Sequence, residues 1–371
     1  MEKIFMITRC FILLMAFSSI AFASDGGFRF NPTCSGYNNG WISEAERHGN
    51  GQCGDFQNAD FHSRSYLEAD FRGANFSGAN LAGALFHGSD FNSATAISTN
   101  FEEAALIAAN FYKANLKKAY FVKANLGNAN LTLTNLNHAN FSNAKMEKTI
   151  LSDTHALDTS FERAILTDAV FTPVSRDTSF QRANFSYARL NRANLSKVTF
   201  GDTNLTFANF SGANLSDARG MKNINGTNFI SVIAHRADFS GSYGGFISWN
   251  AGDFTGANFS NARISGTDFT SAVLVSTNFT GADLEDVKMI SCKAAEAVLV
   301  RARLSKANLR NAELFNCDLT GADLRSVNLR NANLSGCKTA STNLTGAMFS
   351  HVTKLPFSEA EALKRGMVKL D

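Results

Sequence analysis

Chemistry in a chain of this size rests on a few nucleophiles, bases or metal ligands brought within reach of one another. Histidine stands at 48, 62, 87, 138, 155, 235 and 351, with no two at an interval that would bring them together. Serine and aspartate occur by the dozen. The chain has no H-E-x-x-H zinc motif, no G-x-S-x-G nucleophile turn and no phosphate-cradling P-loop. It also lacks a C-x-x-C pair, and no histidine is spaced to complete a zinc site with the cysteines. These spacings assign no catalytic, metal or cofactor residue.

Other residues are candidates for different chemistry. Cys34 and Cys53 bracket an irregular N-terminal stretch and are expected to pair as a disulfide if the chain is exported. Cys292, Cys317 and Cys337 stand where Ala usually stands and read as small buried thiols. Tyr243, Phe246 and Trp249 cluster with Gly244, Gly245 and Gly252. Two readings are open there. Trp249 fills core space that Gly244 leaves empty, or Tyr243 and Phe246 protrude as anchors for a partner. Lys288, Arg303, Lys306, Arg310 and Arg330 form a candidate basic patch, able to hold an anionic polymer or to close into salt-bridged ladders. Lys113, Lys117, Lys118 and Lys123 wrap around the chain as a solvated girdle.

What must position these residues is a repeat. From Phe56 to Phe171 an apolar residue falls at every fifth position, twenty-four times, and sixteen of the residues two places earlier are Ala. A period of five fits neither a helix nor a flat strand, so it comes from a short unit repeated by stacking. The pattern slips between Phe171 and Phe180, and again between Leu215 and Phe229 across Gly220 and Met221. Loops or distorted corners are expected at both. From Phe229 to Phe349 it continues unbroken, with Gly244 and Trp249 at two of its centres. Alternation along a strand turns the centre and the small residue two before it to one face. A five-residue side with its turn is about 10 to 15 Å long, close to the separation of facing sheets. Four sides make a coil of twenty residues. That coil stacks Phe101, Phe121, Phe141 and Phe161 on one wall and sets Cys317 beside Cys337, for which parallel inward thiols are expected.

The ends differ from the middle. Residues 1–23 read as a secretory signal: Lys3 and Arg9, a short apolar run from Cys10 to Ile20, then Ala21-Phe22-Ala23. That run is too short for a membrane span. Residues 24–53 form an N-terminal cap with a short helix expected from Ser43-Glu44-Ala45-Glu46. The repeat occupies 54–353. Residues 354–371 form a second helical cap, because Ser358-Glu359-Ala360-Glu361 has the capping-box form and Gly366 is a natural stop. The formal net charge is +3, and loss of Lys3, Arg9 and Glu2 with the signal leaves +2. So small a charge points to neither nucleic acid nor membrane surfaces as partners.

Ala74-Asn75-Phe76-Ser77-Gly78, Ala79-Asn80-Leu81-Ala82-Gly83 and Ala114-Asn115-Leu116-Lys117-Lys118 are clean copies of the unit. Ala-Asn/Asp-Leu/Phe followed by two variable residues resembles the pentapeptide-repeat family, over roughly residues 54–353. The resemblance implies an all-β fold, a right-handed quadrilateral parallel β-helix with four repeats per coil. About fifteen coils at ~4.8 Å make a rod about 70 Å long. The best-known activity of that family is protection of DNA gyrase by acidic, cytoplasmic rods that mimic DNA. This chain departs from it in charge and in its export signal. A carbohydrate-active β-helix enzyme is the rival of another class, but it needs acids converging on neighbouring coils. The reading that fits best is an exported, periplasmic or secreted bacterial protein without enzymatic activity. It offers a binding or structural surface to an unidentified protein or envelope polymer.

Overall fold

The computed structural model describes residues 51–174 and 178–370. The signal segment, nearly all of the N-terminal cap and its expected helix, and Cys34 lie outside them.

One five-residue step explains the architecture. Phe71-Arg72-Gly73-Ala74 is a β-turn, with Ala74 N donating to Phe71 O at 3.1 Å and Gly73 left-handed at φ 68°. A left-handed third residue is the requirement of a type II turn. The three residues from Ala74 to Phe76 are extended. Asn75 in the middle bridges in parallel to Asp55 on one coil and Thr95 on the next. The turn and this short strand together use five residues and turn one corner.

The Asn/Asp preference has a local cause. Asn75 Oδ1 accepts from the backbone N of Ser77 at 3.1 Å, which holds the turn closed. The same amides also link coils: Asn110 Nδ2 donates to Asp90 and Asn130 Nδ2 to Asn110, at 2.9 and 3.1 Å. Small residues face inward because walls meet there. Where Thr replaces Ala its hydroxyl still finds a partner, as Thr99 Oγ1 does on Phe76 O at 2.7 Å.

Bridges repeat at twenty residues, four to a coil. The first side carries Asp55, Asn75 and Thr95, and the second Asp60, Asn80 and Asn100. The third carries Ser65, Leu85 and Ala105, and the fourth Asp70, Asp90 and Asn110. Centres and their small partners form one continuous core from Phe56 to Met367. Phe101, Phe121, Phe141 and Phe161 stack on one wall as expected, with centroids 4.6, 4.6 and 5.2 Å apart.

Both slips keep the ladders intact. His155 pairs with Ser179 and Val170 with Asn194, so that coil has 24 residues and its extra four lie at the corner after Phe171. Asp153 is buried there, its Oδ1 accepting from Val174 N at 2.8 Å and its own N donating to Thr178 Oγ1 at 2.8 Å. The second slip is a deletion: Asn204 pairs with Asn223, nineteen residues on. Gly220 (φ 82°) fits because a Cβ there would meet Gly201 N at 2.7 Å, while Met221 fills the core.

The top of the stack is β1 (Met348–Phe349), α1 (Glu359–Lys364) and β2 (Val368–Lys369), with β2 parallel to β1. Ser358 is the N-cap of α1, its hydroxyl accepting from Glu361 N at 3.3 Å. Ala362 and Met367 join the core. No helix among the described residues is long and apolar enough to cross a membrane.

Candidate functional site

The aromatic cluster divides between core and surface. Gly244 stands at a repeat centre, and a Cβ on it would meet Asn225 Cα and N at 2.7 Å, so its coil closes down on the one below. Trp249, the next centre, is fully buried between Phe229 and Phe269, with centroids 4.5 and 5.2 Å away and planes within 5°. Its indole N–H has no hydrogen-bond partner. Trp249 therefore leaves the set of possible partner contacts, because core packing consumes it. Phe246 and Tyr243 do face outward. Phe246 is 89% exposed at a left-handed turn position, φ 55°. Tyr243 is 44% exposed on the second side, with the Arg263 guanidinium 5.8 Å from its ring centre.

Two further aromatics share the corner of Phe246, between the second and third sides. The bridges Ile165–Arg189, Arg189–Asn209, Asn209–Asn228 and Asn228–Ser248 put Arg163, Tyr187, Phe207, Gly226 and Phe246 in one vertical row. All five are left-handed. Tyr187 and Phe207 stack at 5.2 Å with planes 20° apart, and Arg163 lies 5.1 Å from the Tyr187 ring centre. Both rings are about half exposed. A Cβ on Gly226 would collide with the Phe207 ring. Sequence reasoning missed Tyr187 and Phe207. The available signal was an aromatic two places after a repeat centre, where the unit mostly holds Gly or a polar residue.

The basic candidates occupy two corners and the sides beside them. Arg303 is on the second side and Lys288 on the third, with Lys306 at the corner between. Arg310 and Arg330 stack one coil apart at the corner leading to the fourth side. Arg303 reaches Asp283 and Glu285 at 3.3 and 3.1 Å, and Lys306 reaches Glu285 at 3.2 Å. These two belong to a salt-bridged ladder. Arg330 N donates to Asn328 Oδ1 at 3.2 Å, and Lys288 helps hold the Asp268 carboxyl low.

Carboxylates elsewhere are paired with arginine across coils. Arg182 grips Asp158 with two hydrogen bonds of 2.8 and 2.6 Å, and Arg192 grips Asp168 with two of 2.8 Å. Arg236 grips Asp217 with two of 2.8 and 2.7 Å. Those guanidinium hydrogen bonds hold all three carboxyls below their ordinary range. Each of these pairs joins coils whose spacing is 24 or 19 residues.

The cysteines correct one expectation. Cys317 and Cys337 form a disulfide rather than two thiols, since stacked walls bring their Cα atoms to 4.6 Å, inside disulfide range. Cys292 is a free buried thiol, its pKa pushed up to about 12 by burial. Cys53 is disulfide-bonded, and its expected partner Cys34 lies outside the described residues. Among the described residues no group of His, Cys, Asp or Glu could hold a metal ion. A shallow recess beside the four-residue insertion is lined by Asn137, His155, Leu157, Ser179 and Gln181.

Comparison with known proteins agrees with the geometry. A family model described as a pentapeptide repeat region matches residues 97–171 and 263–336. A second, pentapeptide repeats (8 copies), matches 55–92, 177–219 and 328–353. The chain belongs to the pentapeptide-repeat family. Solved pentapeptide-repeat structures are similar to it. HetL, involved in heterocyst differentiation regulation in the cyanobacterium Nostoc sp. strain PCC 7120, is 21% identical. That match covers 85% of this chain and 98% of HetL, with a TM-score of 0.27. A pentapeptide repeat protein from the Arabidopsis thaliana thylakoid lumen is 27% identical, over 30% of this chain and 72% of that one, at a TM-score of 0.22. QnrB1, a plasmid-mediated fluoroquinolone resistance protein, is 19% identical over 64% and 88%, at 0.20. No curated protein matched the chain.

Proposed function

We propose that this pentapeptide-repeat protein is an exported, non-enzymatic rod that binds a partner along the corner of Tyr243 and Phe246. The observation that carries the reading is Phe246 itself, 89% exposed in a left-handed conformation. A left-handed φ is the rule at this turn position along the rod, so what sets Phe246 apart is a phenyl ring left almost wholly in solvent, which supports a contact role. The rod is a right-handed quadrilateral β-helix with a helical cap at each end. Its signal is residues 1–23, and Cys34 pairs with Cys53 in the N-terminal cap. A disulfide between Cys317 and Cys337 supports an oxidising compartment, periplasmic or extracellular. The carbohydrate-active alternative needs free carboxylates facing one cleft. Here Asp158, Asp168 and Asp217 are each bound by an arginine.

The test uses the mature rod as bait in an envelope extract of the source cells. The parent is expected to retain a partner that the Tyr243→Ser/Phe246→Ser bait does not. Equal recovery by both baits would place the binding surface elsewhere. Recovery of unprocessed protein from the cytoplasm would overturn export.

A further inference from the structure

Ion pairing accounts for only part of the basic surface in the last coils. Arg303 and Lys306 are held by Asp283 and Glu285, Arg325 by Asp323 and Lys338 by Asp318. All four cations stand on the first and second sides or at the corner between the second and third. Lys288, Lys293, Arg310, Arg330 and Lys354 stand on the third side, the fourth side and the corner between them. The bridges Lys288–Asn308, Asn308–Asn328, Lys293–Glu313, Glu313–Asn333 and Asn333–Lys354 place them there. Among the described residues, Lys288, Lys293, Arg310 and Lys354 are exposed and form no ion pair. Asp268 lies one coil below Lys288 and Glu313 one coil above Lys293, and neither closes on its lysine. Arg301, exposed and also unpaired, stands by itself at the opposite corner, between Gly281 and Gly321.

The five cations climb four consecutive coils. In this same stretch Cys317 and Cys337 stand 4.6 Å apart at Cα, so the three steps from Lys288 to Lys354 rise about 14 Å. One small anion cannot reach along that edge, whereas a chain lying on it can. Like charges held this near one another repel in water, and an anion placed between them replaces repulsion with attraction. Asn308, Asn328 and Asn333 stand among the cations. Their Oδ1 atoms accept from the backbone N of Arg310, Arg330 and Ser335 at 3.2, 3.2 and 3.1 Å. Their Nδ2 groups donate to no other described residue, which leaves those donors for hydroxyl or ring oxygens. Nucleic-acid strands are held by aromatic rings under their bases. No Phe, Tyr or Trp faces outward on these two sides over the four coils, and Phe315 lies beyond the fourth side, at the corner to the first.

We infer that the edge between the third and fourth sides binds a linear acidic polysaccharide lying along the rod. Lys288, Lys293, Arg310 and Lys354 meet its carboxylates, and the Asn308, Asn328 and Asn333 amides meet its hydroxyls. The edge holds the polymer without cleaving it. It is separated from Phe246 by the width of the third side, so it is a second surface and does not rest on the reading of the aromatic corner.

The test is titration of the mature chain with polygalacturonate, beside neutral dextran, a single-stranded oligothymidylate and phosphatidylglycerol vesicles. Polygalacturonate is expected to bind at low salt and to weaken as salt rises, because these cations are exposed to screening. Dextran is expected not to bind. Lys293→Glu/Arg310→Glu should weaken polygalacturonate binding by about tenfold or more. Lys117→Glu/Lys118→Glu changes the net charge equally on another part of the rod and should leave affinity within about twofold. The milder Lys293→Gln/Arg310→Gln should weaken binding in the same direction, and all three variants should keep the parent melting temperature. Tyr243→Ser/Phe246→Ser should bind polygalacturonate as the parent does. Absence of polygalacturonate binding overturns the inference. Equal weakening by the two charge reversals overturns it too, since net charge alone would then be at work. Tighter binding of the oligothymidylate or of the vesicles would replace the polysaccharide with a nucleic acid or a lipid surface. Loss of binding in Tyr243→Ser/Phe246→Ser would overturn the claim of a separate surface.

Discussion

Each residue of this chain has its direction set by its place in the five-residue unit, so neighbours in sequence differ sharply in what they tolerate. Phe121 is fully buried between Phe101 and Phe141, each 4.6 Å away, whereas Val122 is partly exposed on the turn. Phe121→Asp would bury a carboxylate among phenyl rings and should cost several kcal/mol. Val122→Asp should cost under about 1 kcal/mol. Thermal unfolding compares them, and equal losses would mean the inward assignment is wrong. Trp249 allows a finer test. Its partnerless N–H carries a desolvation penalty of about 1–3 kcal/mol. Trp249→Phe removes that donor and keeps the stack on Phe229 and Phe269. It should cost little or stabilise, while Trp249→Ala should cost about 3–5 kcal/mol. A large loss with Phe would show that ring volume outweighs the orphan donor. In the sequence, Gly244 at a centre already signalled disturbance at this point. What it could not decide was which aromatic goes inside, because that depends on how far one coil sinks onto the coil below.

At the scale of coils and corners, the sequence disclosed the period and the positions of both slips, but not how the ladders survive them. The survival is physical. An insertion stays outside the ladder if a buried group satisfies its backbone, as Asp153 does for Val174. A deletion closes up if two glycines meet, as Gly201 and Gly220 do. The arginine–aspartate pairs then staple coils across the irregular steps. Depressed carboxylate pKa values give stability that is present above the unfolded value, near pH 4, and lost as pH falls through the lower folded one. Arg192→Gln should therefore lower the melting temperature at neutral pH, and the gap from the parent should close below about pH 4. A gap that persists in acid would mean Arg192 acts by packing and not by holding Asp168. The disulfides belong to this scale too. Cys317 and Cys337 close a loop of twenty residues, for which chain entropy suggests about 3 kcal/mol. Cys317→Ala/Cys337→Ala should speed amide exchange in the coils around them while leaving coils near Phe101 unchanged, since solenoid coils contact only their neighbours. Uniform acceleration along the chain would contradict that locality. Parallel inward side chains had suggested thiols at these positions, and the short coil spacing outweighed that. For the N-terminal cap, non-reducing peptide mapping of exported protein should find Cys34 joined to Cys53. Free thiols at both would remove that bridge from the account.

The whole molecule separates positions that make the fold from positions that the fold leaves free. Centres, small partners and bridging Asn or Asp make the rod. The turn residues are spent on solubility, on staples or on contact. That division explains why the fold was nearly complete in the sequence and the site was not. A period repeats its message some sixty times, whereas a surface row is written once, in residues 20, 24 or 19 apart. Tyr187 and Phe207 came into line with Phe246 only when the missing residue between Phe207 and Gly226 had been counted, and Arg163 joined them only when the extra four before Tyr187 had been counted as well. The account therefore stands or falls on whether the corner aromatics are dispensable for folding. Thermal unfolding of Tyr243→Ser/Phe246→Ser beside the parent and Trp249→Ala tests this directly. The double variant is expected to melt within about 2 °C of the parent, as surface changes do, with Trp249→Ala far below both. A double variant that melts as early as Trp249→Ala would contradict the account, because Tyr243 and Phe246 would then be part of the fold and not a surface it carries.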